Sequence, residues 1–294
     1  MTNLQKVLIV GCGDMGRRVA RLVQEDNGQV TAIVRSDARR DALQQIGIRT
    51  LTGNLDEPSS LTNLPAKDAT VFYFAPPPGG GFADPRVRAF CDAITPGAEP
   101  AKIVYMSTSG VYGDCGDSEV TEETPPAPQT ARGKRRLDAE SSFLEWGRAH
   151  NVPVVILRVT GIYGPGRFPV TQLASGQPVL REEEATITNR IHADDLARIC
   201  LAAAERGDAG EIFNISDGHP GTMTEYFNAV ADALGYPRPR QVTREEARDV
   251  MSPLMLSYVS ESRRMSNAKM LSRLGVKLLY PTLADGMREI KKKN

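Results

Sequence analysis

Short apolar runs alternate along the chain with longer stretches whose apolar residues recur at helical spacing. KVLIV (6–10) precedes a helical pattern from Asp14 to about Glu25, and VTAIV (30–34) leads into DARRDALQQIG, where Ala38, Leu43 and Ile46 fall on one face. ATVFYFA (69–75), KIVYMS (102–107), VPVVILRV (152–159) and EIFNIS (211–216) read as further strands, short and rich in β-branched residues. Strands that are apolar on both faces and separated by helices predict a parallel sheet covered on both sides. The expected fold is therefore α/β, a Rossmann-type doubly wound sheet whose ligands sit at the carboxyl ends of its strands.

After residue 160 the alternation loosens. GIYGPGRFPV is rich in turn residues, TNRIHADDLARICLAAAERG runs from a loop into a helix, and 220–294 is helical with proline interruptions. This pattern predicts a dinucleotide-binding core over 1–160, to which 190–216 returns. A smaller, mainly C-terminal substrate-binding lobe is expected from 161–189 and 217–294.

Composition narrows the function classes. Thirty-six Lys and Arg balance thirty-six Asp and Glu, so no global field favours nucleic acid or an anionic membrane as partner. No stretch approaches the roughly 20 apolar residues of a membrane span. The start, MTNLQKVLIVGCG, enters a strand without the features of a secretory signal. Cys12, Cys91, Cys115 and Cys200 are scattered and three His lie far apart, so reduced thiols, a cytoplasmic location and no metal site are expected.

VLIVGCGDMGRRVARLV places Gly11, Gly13 and Gly16 between a strand and a helix. Gly11 suits a tight turn, Gly13 a close approach by a pyrophosphate, and Gly16 close helix–strand packing. The loop Gly11, Cys12, Gly13, Asp14, Met15 and Gly16 is thus the expected diphosphate cradle, with the helix N-terminus supplying N–H groups. After the second strand an acidic residue would select NAD. Here Arg35 stands instead, offering a fork for a 2′-phosphate, with Ser36 adding a hydrogen bond and Arg39 and Arg40 nearby. NADP is expected over NAD, and Asp37 is expected to cap the next helix.

Several motifs together resemble the extended short-chain dehydrogenase/reductase family, the NAD-dependent epimerase/dehydratase group. GNLDEPSSL (53–61) is similar to its adenine-contacting turn, with Asn54, followed by Leu55, where an Asp is more usual. VFYFAPPPGGG is similar to its fourth strand and the loop against the cofactor, which includes Ala75 and Pro76. YMSTSGVYGD, LRVTGIYGPGR, NRIHADDLAR and FNISDG match later segments in order. The loop GCGDMG departs from the family's GxxGxxG, with Val10 in the first glycine's place.

In that family a Tyr and a Lys spaced YxxxK act with a Ser or Thr, the Tyr moving the substrate proton. The resemblance places the Ser/Thr at Thr108. The pattern Y-G-x-S-K-L-x-x-E lies over RGKRRLDAE, so Tyr becomes Arg132 and Lys becomes Arg136. A rival register puts Thr130 and Lys134 there, with Lys134 turned about 200° around the helix from Arg136. Arginine, with a pKa above about 12, cannot replace the Tyr as acid, but it can bind an anion. The two arginines are read either as a clamp for an anionic substrate or as a solvated turn paired with Glu140.

Tyr112, Tyr163, Arg167, Arg190 and His192 are the remaining candidates beside the substrate, each with a packing or surface role as the alternative. The expected function is an NADP-binding oxidoreductase, epimerase or dehydratase acting on an unknown carbonyl or hydroxyl compound with a rearranged acid/base. The alternatives are a non-catalytic dinucleotide sensor and a scaffold for a protein partner. A homodimer is the expected assembly.

Overall fold

The computed structural model describes residues 4–293. The chain forms β1 (Lys6–Val10), α1 (Asp14–Glu25), β2 (Gln29–Val34), α2 (Asp37–Gln44), β3 (Arg49–Thr52), β4 (Thr70–Tyr73) and α3 (Pro85–Asp92). It continues through β5 (Lys102–Thr108), α4 (Ala131–His150), β6 (Val154–Val159), α5 (Ala193–Arg206) and β7 (Ile212–Ile215). These strands make one sheet in the order β7-β6-β5-β4-β1-β2-β3, every neighbouring pair parallel. The order reverses at β1, which lies between β2 and β4. Ligands of open α/β sheets bind at such a switch point.

Period-two alternation sends the residues of each strand to opposite faces. Val7 and Ile9 join Val19, Val23, Phe72, Leu157 and Phe213 in the cluster that takes in α1 and α5. Leu8 and Val10 join Tyr73, Phe90, Tyr105 and Phe143 in the cluster beneath α3 and α4. Helix α2 buries less than its pattern predicts. Leu43 is buried, but Ala38 is exposed and Ile46 lies half exposed beyond the helix end. Ser36, not Asp37, caps α2 by accepting from the Arg39 N–H, because the extended backbone needed at a cap falls one residue earlier.

Beyond β6, the strand Gly161–Tyr163 pairs in parallel with Arg190–His192. A separate apolar cluster forms from Tyr163, Leu173, Val179, Tyr226, Phe227, Val230, Ala231 and Met287. The boundaries expected from sequence need one correction. Met270 and Leu274, with Val276 and Leu278 against them, pack into the sheet's own cluster rather than the second one. Their helix, Ala268–Leu274, presents an apolar face that α5 and β7 cover. The carboxylate of Asp195 then accepts the N–H groups of Leu279 and Tyr280, at 2.7 and 2.8 Å.

Candidate functional site

The glycine turn between β1 and α1 fits a ligand that approaches the backbone. Gly11 has φ +91°, and a Cβ there would lie 2.5 Å from the Ala75 nitrogen. A side chain at Gly16 would press on Ile9, the Gly11 carbonyl and the Cys12 sulfur, each at 3.2 Å. At Gly13, by contrast, nothing lies within 4 Å of where a Cβ would stand, so this side of the turn is open. The N–H groups of Asp14, Met15 and Gly16 point out of the first helical turn without intrahelical acceptors. Cys12 and Met15 contribute backbone only, since both side chains are buried in the core.

A cavity of about 110 Å³ adjoins this turn, lined by Gly11, Arg35, Asn54, Leu55, Ala75 and Pro76 among others. It therefore gathers residues from the ends of β1, β2, β3 and β4. The Asn54 side chain accepts the Asp56 N–H, which shapes the turn. Asp56 is paired through both oxygens with Arg86, at 2.6 Å each, and this pairing holds its carboxyl below the usual range. Arg35 is 69% exposed and 3.9 Å from Asp56. The Ser36 oxygen is used in capping, which leaves its proton to donate. Arg40 is engaged by Asp37 and Asp41.

The larger cavity, of about 540 Å³, lies between the sheet and the second cluster. Thr108, Arg132 and Arg136 all line it, together with Tyr163, Arg167 and Arg190. Thr108 caps the turn Ser109–Tyr112 by accepting the Gly110 N–H, so its own O–H remains available to donate. That turn meets α4 at Gly133, where a Cβ would stand 2.6 Å from the Gly110 carbonyl. The close approach is what brings Arg132 and Arg136 to the cavity wall. Arg136 donates from Nη1 to the Tyr105 hydroxyl at 3.0 Å and the Met106 carbonyl at 2.9 Å. The Arg132 guanidinium lies 4.5 Å from the centre of the Tyr258 ring.

The rival register fails on this geometry. Thr130 caps α4 through the Gly133 N–H, and Lys134 is exposed over the Phe82 ring, outside the cavity. Nor does Glu140 pair with the two arginines. It is 2% exposed and accepts from Ser107 at 2.5 Å and from Nε and Nη2 of Arg158.

Two candidate substrate residues are corrected. Tyr112 does not line the cavity: its hydroxyl donates to Asn214 Oδ1 at 2.8 Å, and Arg158 covers its ring. His192 is fully buried, accepts the Asp194 N–H at Nδ1 as the cap of α5, and stacks 3.8 Å from Tyr280. Its role is therefore to cap the helix rather than to face the substrate cavity. Tyr163 reaches the cavity, but its hydroxyl donates to the Thr282 carbonyl and burial pushes its pKa well up. Arg190 is 6% exposed and donates to Thr188 and the Thr222 carbonyl, and burial lowers its pKa. Arg167 is paired with Asp14.

Glu261, Arg263 and Tyr258 also line the cavity and carry no local sequence signal. Arg263 donates to the Gly113 carbonyl, Ser109 and Glu261. Among the described residues no group of His, Cys, Asp or Glu could hold a metal ion, and no helix is long and apolar enough to cross a membrane.

Known proteins resemble this chain both in sequence and in fold. Residues 87–216 match the NAD dependent epimerase/dehydratase family, and residues 7–77 match the TrkA-N domain. Protein YeeZ of Escherichia coli K12 is 27% identical over 249 residues, spanning 81% of this chain and 86% of that protein. A functionally unknown conserved protein from Silicibacter pomeroyi superposes with a TM-score of 0.83 at 28% identity, over 98% of this chain and 99% of the other. The dTDP-glucose 4,6-dehydratase of Bacillus anthracis, solved in complex with NAD, superposes at 0.79 with 18% identity, covering 98% and 96%, and shares the fold. The chain thus resembles the NAD-dependent epimerase/dehydratase group of the extended short-chain dehydrogenase/reductases, in sequence over residues 87–216 and in fold over nearly its whole length.

Proposed function

We propose that this protein is an NADP-preferring oxidoreductase-like enzyme that acts on an anionic carbonyl or hydroxyl compound without the family's Tyr–Lys dyad. The observation that carries this reading is the convergence of Thr108, Arg132 and Arg136 on one cavity beside an intact glycine turn. The turn and its free N–H groups would hold the diphosphate, and Arg35 the 2′-phosphate. A nicotinamide dinucleotide supplies or accepts a hydride when bound. Thr108 then orients the substrate oxygen through its free O–H, and Arg132 and Arg136 neutralise an adjacent carboxylate or phosphate. Neither arginine releases a proton at working pH. With Tyr112 and His192 outside the cavity and the Tyr163 hydroxyl engaged, water in the cavity is the proton carrier.

The replacement of both Tyr and Lys favours a second reading, a dinucleotide-binding sensor that has lost the chemistry. Calorimetric titration with NADPH and NADH tests what the two readings share. NADPH is expected to bind at least about tenfold tighter, a difference of about 1.4 kcal/mol. Arg35→Asp should abolish that preference while leaving NADH binding in place. Wild-type protein that binds neither dinucleotide sinks both readings. Oxidation of NADPH by a panel of carboxylate- and phosphate-bearing carbonyl compounds then separates enzyme from sensor.

A further inference from the structure

The turn after Tyr163 is strapped to the glycine turn by charge. Arg167 donates from Nε to Asp14 Oδ2 at 2.5 Å, and Asp14 is the first residue of α1, next to the open side of Gly13. Arg18, one helical turn further on, donates to both Asp14 oxygens at 3.2 Å, to the Pro165 carbonyl at 2.7 Å and to Asp194. Gly164 and Gly166, at φ +129° and +80°, let the backbone double back so that Arg167 reaches across. Only the Nε of Arg167 is hydrogen-bonded among the described residues. Its two Nη groups carry four N–H donors, and the residue lines the larger cavity.

An aspartate at this place needs an explanation. A carboxylate beside a diphosphate site repels its ligand unless cations offset it. Asp14 uses one edge of Arg167, and the opposite edge is the one that can fork onto phosphate oxygens.

We propose that Arg167 is a ligand of the dinucleotide's diphosphate, held ready by Asp14 and delivered from the far side of the substrate cavity. One residue then joins the cofactor site to the wall of the substrate site. This assignment rests on the dinucleotide-binding reading above, and the test keeps the two apart.

Affinities for NADPH, NADH and 2′-AMP would be measured by calorimetry on wild type, Arg167→Gln and Asp14→Asn. Losing a charge-assisted contact to phosphate should weaken both dinucleotides about tenfold to a hundredfold in Arg167→Gln. Binding of 2′-AMP, which has no diphosphate, should stay unchanged and so report an intact fold. Asp14→Asn should bind both dinucleotides at least as tightly as wild type, because it removes the repelling charge. If Arg167→Gln keeps dinucleotide affinity within about twofold, or weakens 2′-AMP equally, the assignment is overturned. It is equally overturned if Asp14→Asn loses as much as Arg167→Gln, since the pair is then only a strap. Wild-type protein that binds no dinucleotide overturns the functional reading itself, whereas wild-type binding with an indifferent Arg167→Gln overturns this assignment alone.

Discussion

Asp217 follows β7, with its N–H donated to the Arg190 carbonyl and its Oδ1 accepting the His219 N–H at 2.9 Å. Burial pushes its pKa up to about 6, against the lowering pull of that hydrogen bond and of Arg190. In the unfolded chain the value is about 3.9. The folded state therefore binds the extra proton between about pH 4 and 6, and stability falls as pH rises through that window. Asp217→Asn keeps the acceptor and removes the charge. It should flatten the slope and add up to about 3 kcal/mol at neutral pH, and urea unfolding at acid and neutral pH checks this. A slope equal to that of wild type would remove Asp217 as its cause. At this scale, what the sequence disclosed was what local backbone dictates. Gly11, Gly13 and Gly16 stand where their spacing predicts, and Thr108 where the family resemblance puts it, because turn geometry needs no distant partner. Tyr112 and His192 did not, because Asn214 and Tyr280, far along the chain, decide where those side chains point.

Helix α4 carries the cavity's arginines on one side and a buried ion pair on the other. Glu140 and Arg158, 2% and 3% exposed as side chains, hold β6 to α4, with the Ser107 hydroxyl of β5 as a third member. Glu140→Ala leaves the guanidinium buried without its carboxylate and should cost about 3–5 kcal/mol in urea unfolding. Replacing both residues with Met should cost much less, because no charge is stranded. Equal losses in the two variants would mean that packing rather than charge holds the helix. The register of α4 was legible because Leu137 and Glu140 fix its orientation, which left Arg132 and Arg136 one possible wall. The partner of Glu140 was not legible, since Arg132, Arg135, Arg136 and Arg148 all lay nearer in sequence than Arg158. Glu261 and Arg263 reach the same cavity from a loop whose path depends on packing with no periodic signal.

Across the whole molecule, the chain leaves the sheet after β6, builds most of the second cluster and returns twice. Asp195 fixes the second return by accepting the Leu279 and Tyr280 N–H groups. Asp195→Ala should cost about 2–4 kcal/mol and speed hydrogen exchange at those two amides while the β5 and β6 amides stay protected. Unchanged exchange would mean that Met270 and Leu274 anchor the segment alone. The alternation of strands and helices made the sheet legible, whereas helix Ala268–Leu274 looked like the rest of the C-terminal segment. The first return has a consequence for synthesis. β7 pairs with β6 through Val159 and Ile215, so the edge strand of the nascent sheet waits for chain made roughly fifty residues later. At ribosomal speeds of about 5–20 residues per second, that edge stays bare for roughly 3–10 s. For that interval the half-made protein offers a ladder of unpaired backbone groups to any neighbouring strand, which makes it a client for chaperones before it can bind anything of its own.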